Sequence, residues 1–241
     1  MPMTNRGTLK GVVLAGGLGT RLFPLTEVTN KHLLPVYRKP MVFYPIEMLV
    51  EAGVTDIMLV TGGNSAGDFL RLLGNGERFG LRELHYTYQR GEGGIADALR
   101  LAERFSAGGR LVVALGDNII EGSIRSAVEA YRRQASGAKI LLKRVPDPER
   151  FGVAVFDKNR RIERIEEKPK KPKSPYAVTG VYMYDSYVFD IIRALKPSRR
   201  GELEITGVNN AYLRRGDLTH AFLKGWWTDA GTFESLLRAN M

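Results

Sequence analysis

The first half of the chain alternates compact apolar runs with amphipathic segments. Lys10-Gly11-Val12-Val13-Leu14 runs into a glycine cluster, the pattern of a buried strand followed by a loop. Further strands are predicted over 56–61 (DIMLVT), 84–89 (LHYTYQ) and 110–115 (RLVVAL), the last ending in Gly116-Asp117. Helices are predicted over 41–52, closed by Gly53, over 66–73, closed by Gly74, and over 95–105. A fourth is predicted over 123–135 with Ser123 as N-cap. Four strand–helix alternations specify an α/β fold with a doubly wound, mostly parallel sheet covered on both faces.

After residue 138 the pattern changes. Strands over 139–144, 153–156, 162–166 and 177–184 follow with fewer helices between them. Helices over 188–194 and 205–215, a strand over 218–223 and a helix over 232–240 close the chain. This half reads as a mixed extension of the same sheet, so residues 1–241 are expected to form a single domain with halves at about 10–135 and 136–241. No linker, internal repeat or low-complexity segment interrupts it. Residues 1–8 are expected to be frayed.

Composition narrows the function classes. Apolar residues make up 44% and charged residues 26% of the 241, which belongs to a globular protein with a sizeable core. Cysteine is absent, so disulfides, thiolate metal sites and thiol nucleophiles are excluded. No apolar run reaches the ~20 residues of a membrane helix, and MPMTNRGTLK lacks a secretory apolar stretch. A cytoplasmic protein with no membrane partner is expected. The net charge of +10 invites a nucleic-acid reading. Yet the basic residues lie in scattered pairs (Arg132-Arg133, Arg160-Arg161, Arg199-Arg200, Arg214-Arg215), and the cluster from Lys168 to Lys173 is broken by Pro169 and Pro172. A solvated basic face, or phosphate-bearing substrates, accounts for the surplus better.

The loop Leu14-Ala15-Gly16-Gly17-Leu18-Gly19-Thr20-Arg21-Leu22 follows the first strand. Its glycines permit close backbone approach to a ligand, and successive N–H groups there can form an anion nest. The dinucleotide fingerprint GxGxxG fails, because Leu22 stands where its third glycine belongs; the P-loop fails for want of GK[ST]. An ordinary strand-to-helix turn would explain a bare GGxG. Thr20, Arg21 and, ten residues on, Lys31 shift the balance toward a triphosphate, since Arg offers phosphate a bidentate fork and Lys a point charge.

At this point the sequence resembles a known family. LAGGLGTRLFPLT…NKHLLPV is similar to the signature of the sugar-nucleotide pyrophosphorylases, nucleotidyltransferases acting on sugar 1-phosphates. PMVFYPIEMLVEAGV, LLGNGERFGL, GGIADAL, LGDNI, DPERFGV, EEKPKKPKSPYAVTGVYMYD, KPSRRGELEIT and WWTDAGT follow in the order found in their glucose-1-phosphate thymidylyltransferase branch, over about residues 10–240. Two departures stand out: His32 replaces a glutamine of the longer members, and the chain stops at Met241, like a short form without their helical tail.

The resemblance implies a Rossmann-like nucleotidyltransferase fold, with nucleotide bound by the first half and sugar phosphate by the second. It implies an Mg²⁺-dependent transfer of a thymidylyl group from dTTP to glucose 1-phosphate, giving dTDP-glucose and pyrophosphate, in a homo-oligomer. Arg21, Lys31, Asp117 and Asp229 would be catalytic, with the two aspartates holding the metal. A lone strand-end aspartate is more often a cap, but two beside a triphosphate loop make a credible Mg²⁺ pair. Leu14, Gly16, Gly17, Gly19, Thr20, Arg21, Gln89, Gly94 and Asp117 would bind nucleotide. A side-chain amide such as that of Gln89 suits the N3–H and O4 edge of thymine or uracil. Gly152, Glu167, Lys168, Val178, Thr179 and Tyr182 would bind the sugar phosphate, with Arg200, Glu202 and Glu204 as weaker candidates. His32 is expected beside the nucleotide; His85 and His220 read as structural. UTP or another hexose 1-phosphate is the close alternative. A non-catalytic nucleotide-sugar sensor and a nucleic-acid binder are the distant ones.

Overall fold

The computed structural model describes residues 8–63 and 65–241. Apart from Thr8, the segment expected to fray lies outside them. In chain order the first half holds β1 (Lys10–Ala15), a short ribbon of β2 (Pro35–Val36) and β3 (Lys39–Pro40), α1 (Phe43–Glu51), β4 (Asp56–Gly62) and α2 (Ala66–Leu73). It continues with β5 (Glu83–Gln89), α3 (Ile95–Arg100), α4 (Glu103–Ser106), β6 (Leu111–Leu115), β7 (Asn118–Ile120) and α5 (Arg125–Arg133). The second half holds β8 (Ala138–Arg144), β9 (Gly152–Phe156), β10 (Ile162–Glu167), β11 (Tyr176–Tyr184), α6 (Val188–Ala194) and α7 (Ile205–Arg214). It ends with β12 (Leu218–Phe222), β13 (Trp227–Asp229) and α8 (Phe233–Asn240).

β1 runs through the middle of a nine-stranded sheet. Its Val12 and Leu14 enter one core and its Val13 and Ala15 the other, so both faces of the strand are buried. β4 and β6 flank it in parallel, with Leu14 opposite Val60 and Leu115, and β5 extends the sheet beyond β4. Antiparallel β11 then joins the halves: Val181–Tyr184 pairs with β6, while its other edge pairs with β8. β9 and β10 continue beyond β11, and β12 runs parallel to β8. Only β10 and β11 oppose the common direction, so the sheet is mixed but mostly parallel, as the alternating pattern specifies. Helices α3, α6 and α7 cover one face, contributing Leu99, Ile192 and Val208. Helices α1, α2 and α5 cover the other, contributing Ile46, Phe69 and Tyr131.

Local chemistry explains the element ends. Thr232 and Ser235 form a reciprocal capping box at the start of α8. Ser123 Oγ accepts from the Arg125 N–H at 3.2 Å, so the expected cap serves the first turn of a helix that begins later than position 123. The helix predicted over 95–105 is two pieces. Leu101 and Ala102 donate three residues back, to Ala98 and Leu99, which tightens the turn and breaks the α-helical run.

The ribbon of β7 and β13, absent from the sequence reading, places Asp229 opposite Asn118. The Ala230 N–H also donates to the Asp117 carbonyl at 2.8 Å. Beside it, β11 departs from regular pairing between Val178 and Tyr182. There the Gly180 N–H donates to Asn118 Oδ1 at 2.8 Å, and a Cβ on Gly180 would lie 2.5 Å from the Asn118 amide. Only glycine allows that approach.

Candidate active site

The carboxyl ends of β1 and β6 and the Val178–Tyr182 stretch of antiparallel β11 open into a cleft of about 550 Å³, within the usual range for small-molecule sites. The loop after β1 forms one wall. Gly17 and Gly19 adopt positive φ, +89° and +67°, which side chains disfavour. Gly16 packs so close to Gln89 that a Cβ there would lie 2.9 Å from Oε1. The loop already holds an anion of its own: the Leu18 N–H donates to Glu92 Oε1 at 3.1 Å. That carboxylate oxygen stands where a phosphate oxygen could, as expected of free N–H groups in a glycine-rich turn. The Arg21 guanidinium, exposed on the cleft rim, has no hydrogen-bond or ion-pair partner among the described residues.

Opposite the loop, charge is concentrated. Lys31 Nζ lies 2.6 Å from Asp117 Oδ2, and Asn118 Nδ2 donates to Asp117 Oδ1 at 3.0 Å. Arg150 Nη2 donates to both oxygens of Asp229, at 3.0 and 3.2 Å. Gly231 marks where these groups meet. A methyl group there would sit 3.3 Å from Arg21 Nη2, 3.4 Å from Asp117 Oδ2 and 3.5 Å from Asp229 Oδ2. The β7–β13 ladder thus brings together two carboxylates far apart in the chain. Removing one partner of the buried Lys31–Asp117 pair strands a charge, at a cost of about 3–5 kcal/mol.

The titration of the pair reflects this crowding. Burial opposes the charged form of Asp117, yet Lys31 at hydrogen-bond distance and the Asn118 amide hold it below the ordinary carboxylate range. Asp229 moves the other way, to about 6, through burial first and then the charge of Asp117, against the opposing Arg150, Arg21 and Lys31. Two carboxylates close enough for one to raise the pKa of the other also suit a cation between them. Among the described residues no group of three or more His, Cys, Asp or Glu could hold a metal. The ion that fits is a hard divalent one that takes one or two carboxylates and completes its shell with phosphate oxygens and water.

Gln89, buried at the end of β5, donates from Nε2 to the Gly94 carbonyl at 3.2 Å and to Asp97 Oδ2 at 3.0 Å. Gly94 begins α3 at φ +92°, where a Cβ would meet the Leu203 carbonyl at 2.8 Å. At the far end, strand pairing sets Gly152 opposite Glu167. Glu167 accepts from Thr206 Oγ1 at 2.5 Å and from Arg200 Nη2 at 3.5 Å, with Lys168 Nζ 4.0 Å away. Arg200 also donates to Glu204 at 2.8 Å, and Glu202 lines the same end of the cleft.

The cleft therefore gathers Leu14, Gly16, Gly17, Gly19, Thr20, Arg21, Lys31, Gln89, Gly94, Asp117, Gly152, Glu167, Lys168, Val178, Tyr182 and Asp229. Thr179 is not gathered. Alternation along β11 turns its hydroxyl away, to the Leu141 carbonyl at 3.1 Å, while Val178, Gly180 and Tyr182 face the cleft. His32 lies beside the cleft but is buried: its main-chain N–H and Nδ1 both contact Asn30 Oδ1, at 2.9 and 2.7 Å. His85 and His220 lie away from the cleft, as structural histidines should. Sequence reasoning missed Arg150, Asn118, Thr206, Glu92 and Asp97. Arg150 was visible in DPERFGV, but nothing local tells a cleft arginine from a turn arginine. The others depend on packing.

Comparison with known proteins agrees with this geometry. The nucleotidyl transferase family model matches residues 10–241. The glucose-1-phosphate thymidylyltransferase of Actinoplanes sp. is 46% identical over 96% of this chain and 77% of its own length. That of Neisseria gonorrhoeae is 46% identical over 96% and 81%. A crystal structure of a Bacillus anthracis protein provisionally named glucose-1-phosphate thymidylyltransferase, in complex with a sucrose, superposes with a TM-score of 0.92 at 56% identity, covering 96% of this chain and 94% of that one. A UDP-glucose pyrophosphorylase structure with UDP-glucose shares the fold, with a TM-score of 0.85 at 23% identity over 97% of both chains. With matches of this extent, and a cleft in which two carboxylates, a lysine and a free arginine meet beside a glycine-rich loop, the chain belongs to the nucleotidyl transferase family.

Proposed function

We propose that the protein transfers a thymidylyl group from dTTP to α-D-glucose 1-phosphate, releasing dTDP-glucose and pyrophosphate. One observation carries the reading: Arg21, Asp117 and Asp229 all lie within 3.5 Å of the space a methyl on Gly231 would fill. Charges of both signs gathered on one point suit phosphoryl chemistry, in which catalysis is positioning and electrostatic stabilisation. The names of the relatives above supply the substrate pair.

In this scheme a phosphate oxygen of the sugar phosphate attacks the α-phosphorus of dTTP. The bond from that phosphorus to the bridging oxygen breaks, and pyrophosphate leaves with the electron pair. The nucleophile is already ionised near pH 7, so no general base is needed. Arg21 stabilises charge on the α-phosphate and the leaving group. Lys31 neutralises the incoming phosphate while holding Asp117. The glycine loop receives the triphosphate, Gln89 and Gly94 the base, and Gly152, Glu167, Lys168, Val178 and Tyr182 the sugar phosphate. Asp117 and Asp229 would hold a divalent cation, in our reading Mg²⁺, which would supply positive charge to offset that of the phosphates. The first half of the single domain then serves the nucleotide and the second half the sugar phosphate, in a homo-oligomer that does not bind nucleic acid.

A turnover assay crossing dTTP, UTP, CTP and GTP with several sugar 1-phosphates tests the reading. The expected result is fastest pyrophosphate release with dTTP and glucose 1-phosphate. Preference for UTP or for another hexose would reassign the substrate. Asp117→Asn should retain nucleotide binding and lose turnover at least ~100-fold; an unchanged rate removes Asp117 from the mechanism.

A further inference from the structure

We propose that Asp97 decides which nucleobases this site accepts, by locking the Gln89 amide with only its oxygen available to the base. The inference rests on the nucleotidyl-transfer reading above and adds a residue to it. A primary amide has two N–H donors and one carbonyl acceptor. Here both donors are engaged: Nε2 faces the Gly94 carbonyl at 3.2 Å and Asp97 Oδ2 at 3.0 Å. The remaining oxygen points at Gly16, where a Cβ would come within 2.9 Å of it. The missing side chain keeps the space in front of Oε1 open toward the cleft that both residues line.

Asp97 does not line the cleft; it stands behind Gln89 in the first turn of α3. Its other oxygen accepts from Arg100 Nη2 at 2.8 Å, which holds the carboxylate in place. A carboxylate and a carbonyl can only accept. Flipping the Gln89 amide would set its oxygen against both, so the orientation is fixed by two acceptors rather than by the base. The face offered to the base is therefore an acceptor alone. Thymine and uracil, which carry N3–H, can donate to it. In the register that sets the ring nitrogen against Oε1, cytosine presents a bare N3 and adenine a bare N1, a lone pair against a lone pair, and each must shift to offer its exocyclic amino group instead. A site that demands a donor rejects an analogue lacking one far more strongly than a change of bulk would. Asp97 is a positioning residue, acting on the base through Gln89.

The test compares kcat/KM for dTTP and dCTP, at saturating glucose 1-phosphate and Mg²⁺, in the natural protein, Asp97→Asn and Asp97→Ser. Asparagine can donate as well as accept, so Gln89 can turn its amide toward the cleft. Serine withdraws the carboxylate, leaving the Gly94 carbonyl alone to hold the amide. Thermal melts establish that at least one variant is folded. The dTTP-to-dCTP ratio should fall at least tenfold in a folded variant, while the KM for glucose 1-phosphate stays within twofold. A ratio within threefold of the natural protein's in a folded variant overturns the proposal, as does a fall matched by an equal loss of glucose 1-phosphate affinity. Absence of transfer from any nucleotide by the natural protein would instead refute the function on which the proposal rests.

Discussion

Replacing His32 by Gln should make the fold more tolerant of acid. Burial, then the Lys31 ammonium, lowers the His32 pKa from its ordinary 6.5 to about 3. Its tautomer is set by Asn30, whose Nδ2 points to the Ala15 carbonyl at 3.4 Å and whose Oδ1 must therefore accept from Nδ1–H. The folded protein keeps the ring neutral, while the unfolded chain binds a proton there below about pH 6.5. Protonation thus favours unfolding, and stability falls as pH drops from above 6.5 toward 3. For these two values linkage gives a loss of about 2 kcal/mol between pH 7.5 and pH 5. Glutamine keeps a polar group of similar reach and has no proton to take up. Urea unfolding at both pH values, on both proteins, isolates the effect, because the other titrations are shared. The natural protein should lose about 2 kcal/mol more than His32→Gln across that interval. Equal losses, within about 0.5 kcal/mol, would mean that the ring is protonated or solvated in the fold.

Asp229, raised to about 6 by burial and by Asp117, should bind its cation less well as pH falls below that value. At limiting Mg²⁺ the acid limb of kcat/KM should therefore lie near pH 6 and move to lower pH as Mg²⁺ is raised; a limb indifferent to Mg²⁺ refutes this. Glu92→Ala frees the Leu18 N–H from its carboxylate and should lower the KM for dTTP about twofold to fivefold at unchanged kcat, whereas a raised KM would make Glu92 part of the binding site. Gly231→Ala should fold normally, since its Cβ would make no contact shorter than 3.3 Å, yet lose at least ~100-fold in turnover by filling the meeting point of Arg21, Asp117 and Asp229. Near-normal turnover would place the reacting phosphorus elsewhere. Filter binding to DNA should be weak and nearly flat with salt; a steep slope would revive the nucleic-acid reading.

Hydrophobic pattern and turn chemistry made most of the sheet legible. The helices over 66–73 and 188–194 have the bounds expected of them, because each carries a clear apolar face and ends where its neighbours change character. The strands around the central β1 read clearly because each is short, apolar and followed by glycine or aspartate. What was not legible is what depends on distant partners. The three-residue strands β7 and β13 carry no period of their own, and only their mutual ladder brings Asp229 beside Asp117. Arg150 becomes a site residue solely because Asp229 arrives next to it. Thr179 erred the other way: its motif fits, but one step along a pleated strand changes the face it presents. The break at Leu101–Ala102 is invisible to periodicity, since the same apolar residues are buried whether the turn is regular or tight.

The ladder between β7 and β13 has a consequence for how the protein comes into being. Asp229 is joined to the growing chain 112 positions after Asp117 (229 − 117). A product cut short before that ribbon could retain much of the sheet and its glycine loop, and still lack the second carboxylate. Nucleotide capture could then precede chemistry during synthesis, and premature termination would leave a binder rather than a slow catalyst.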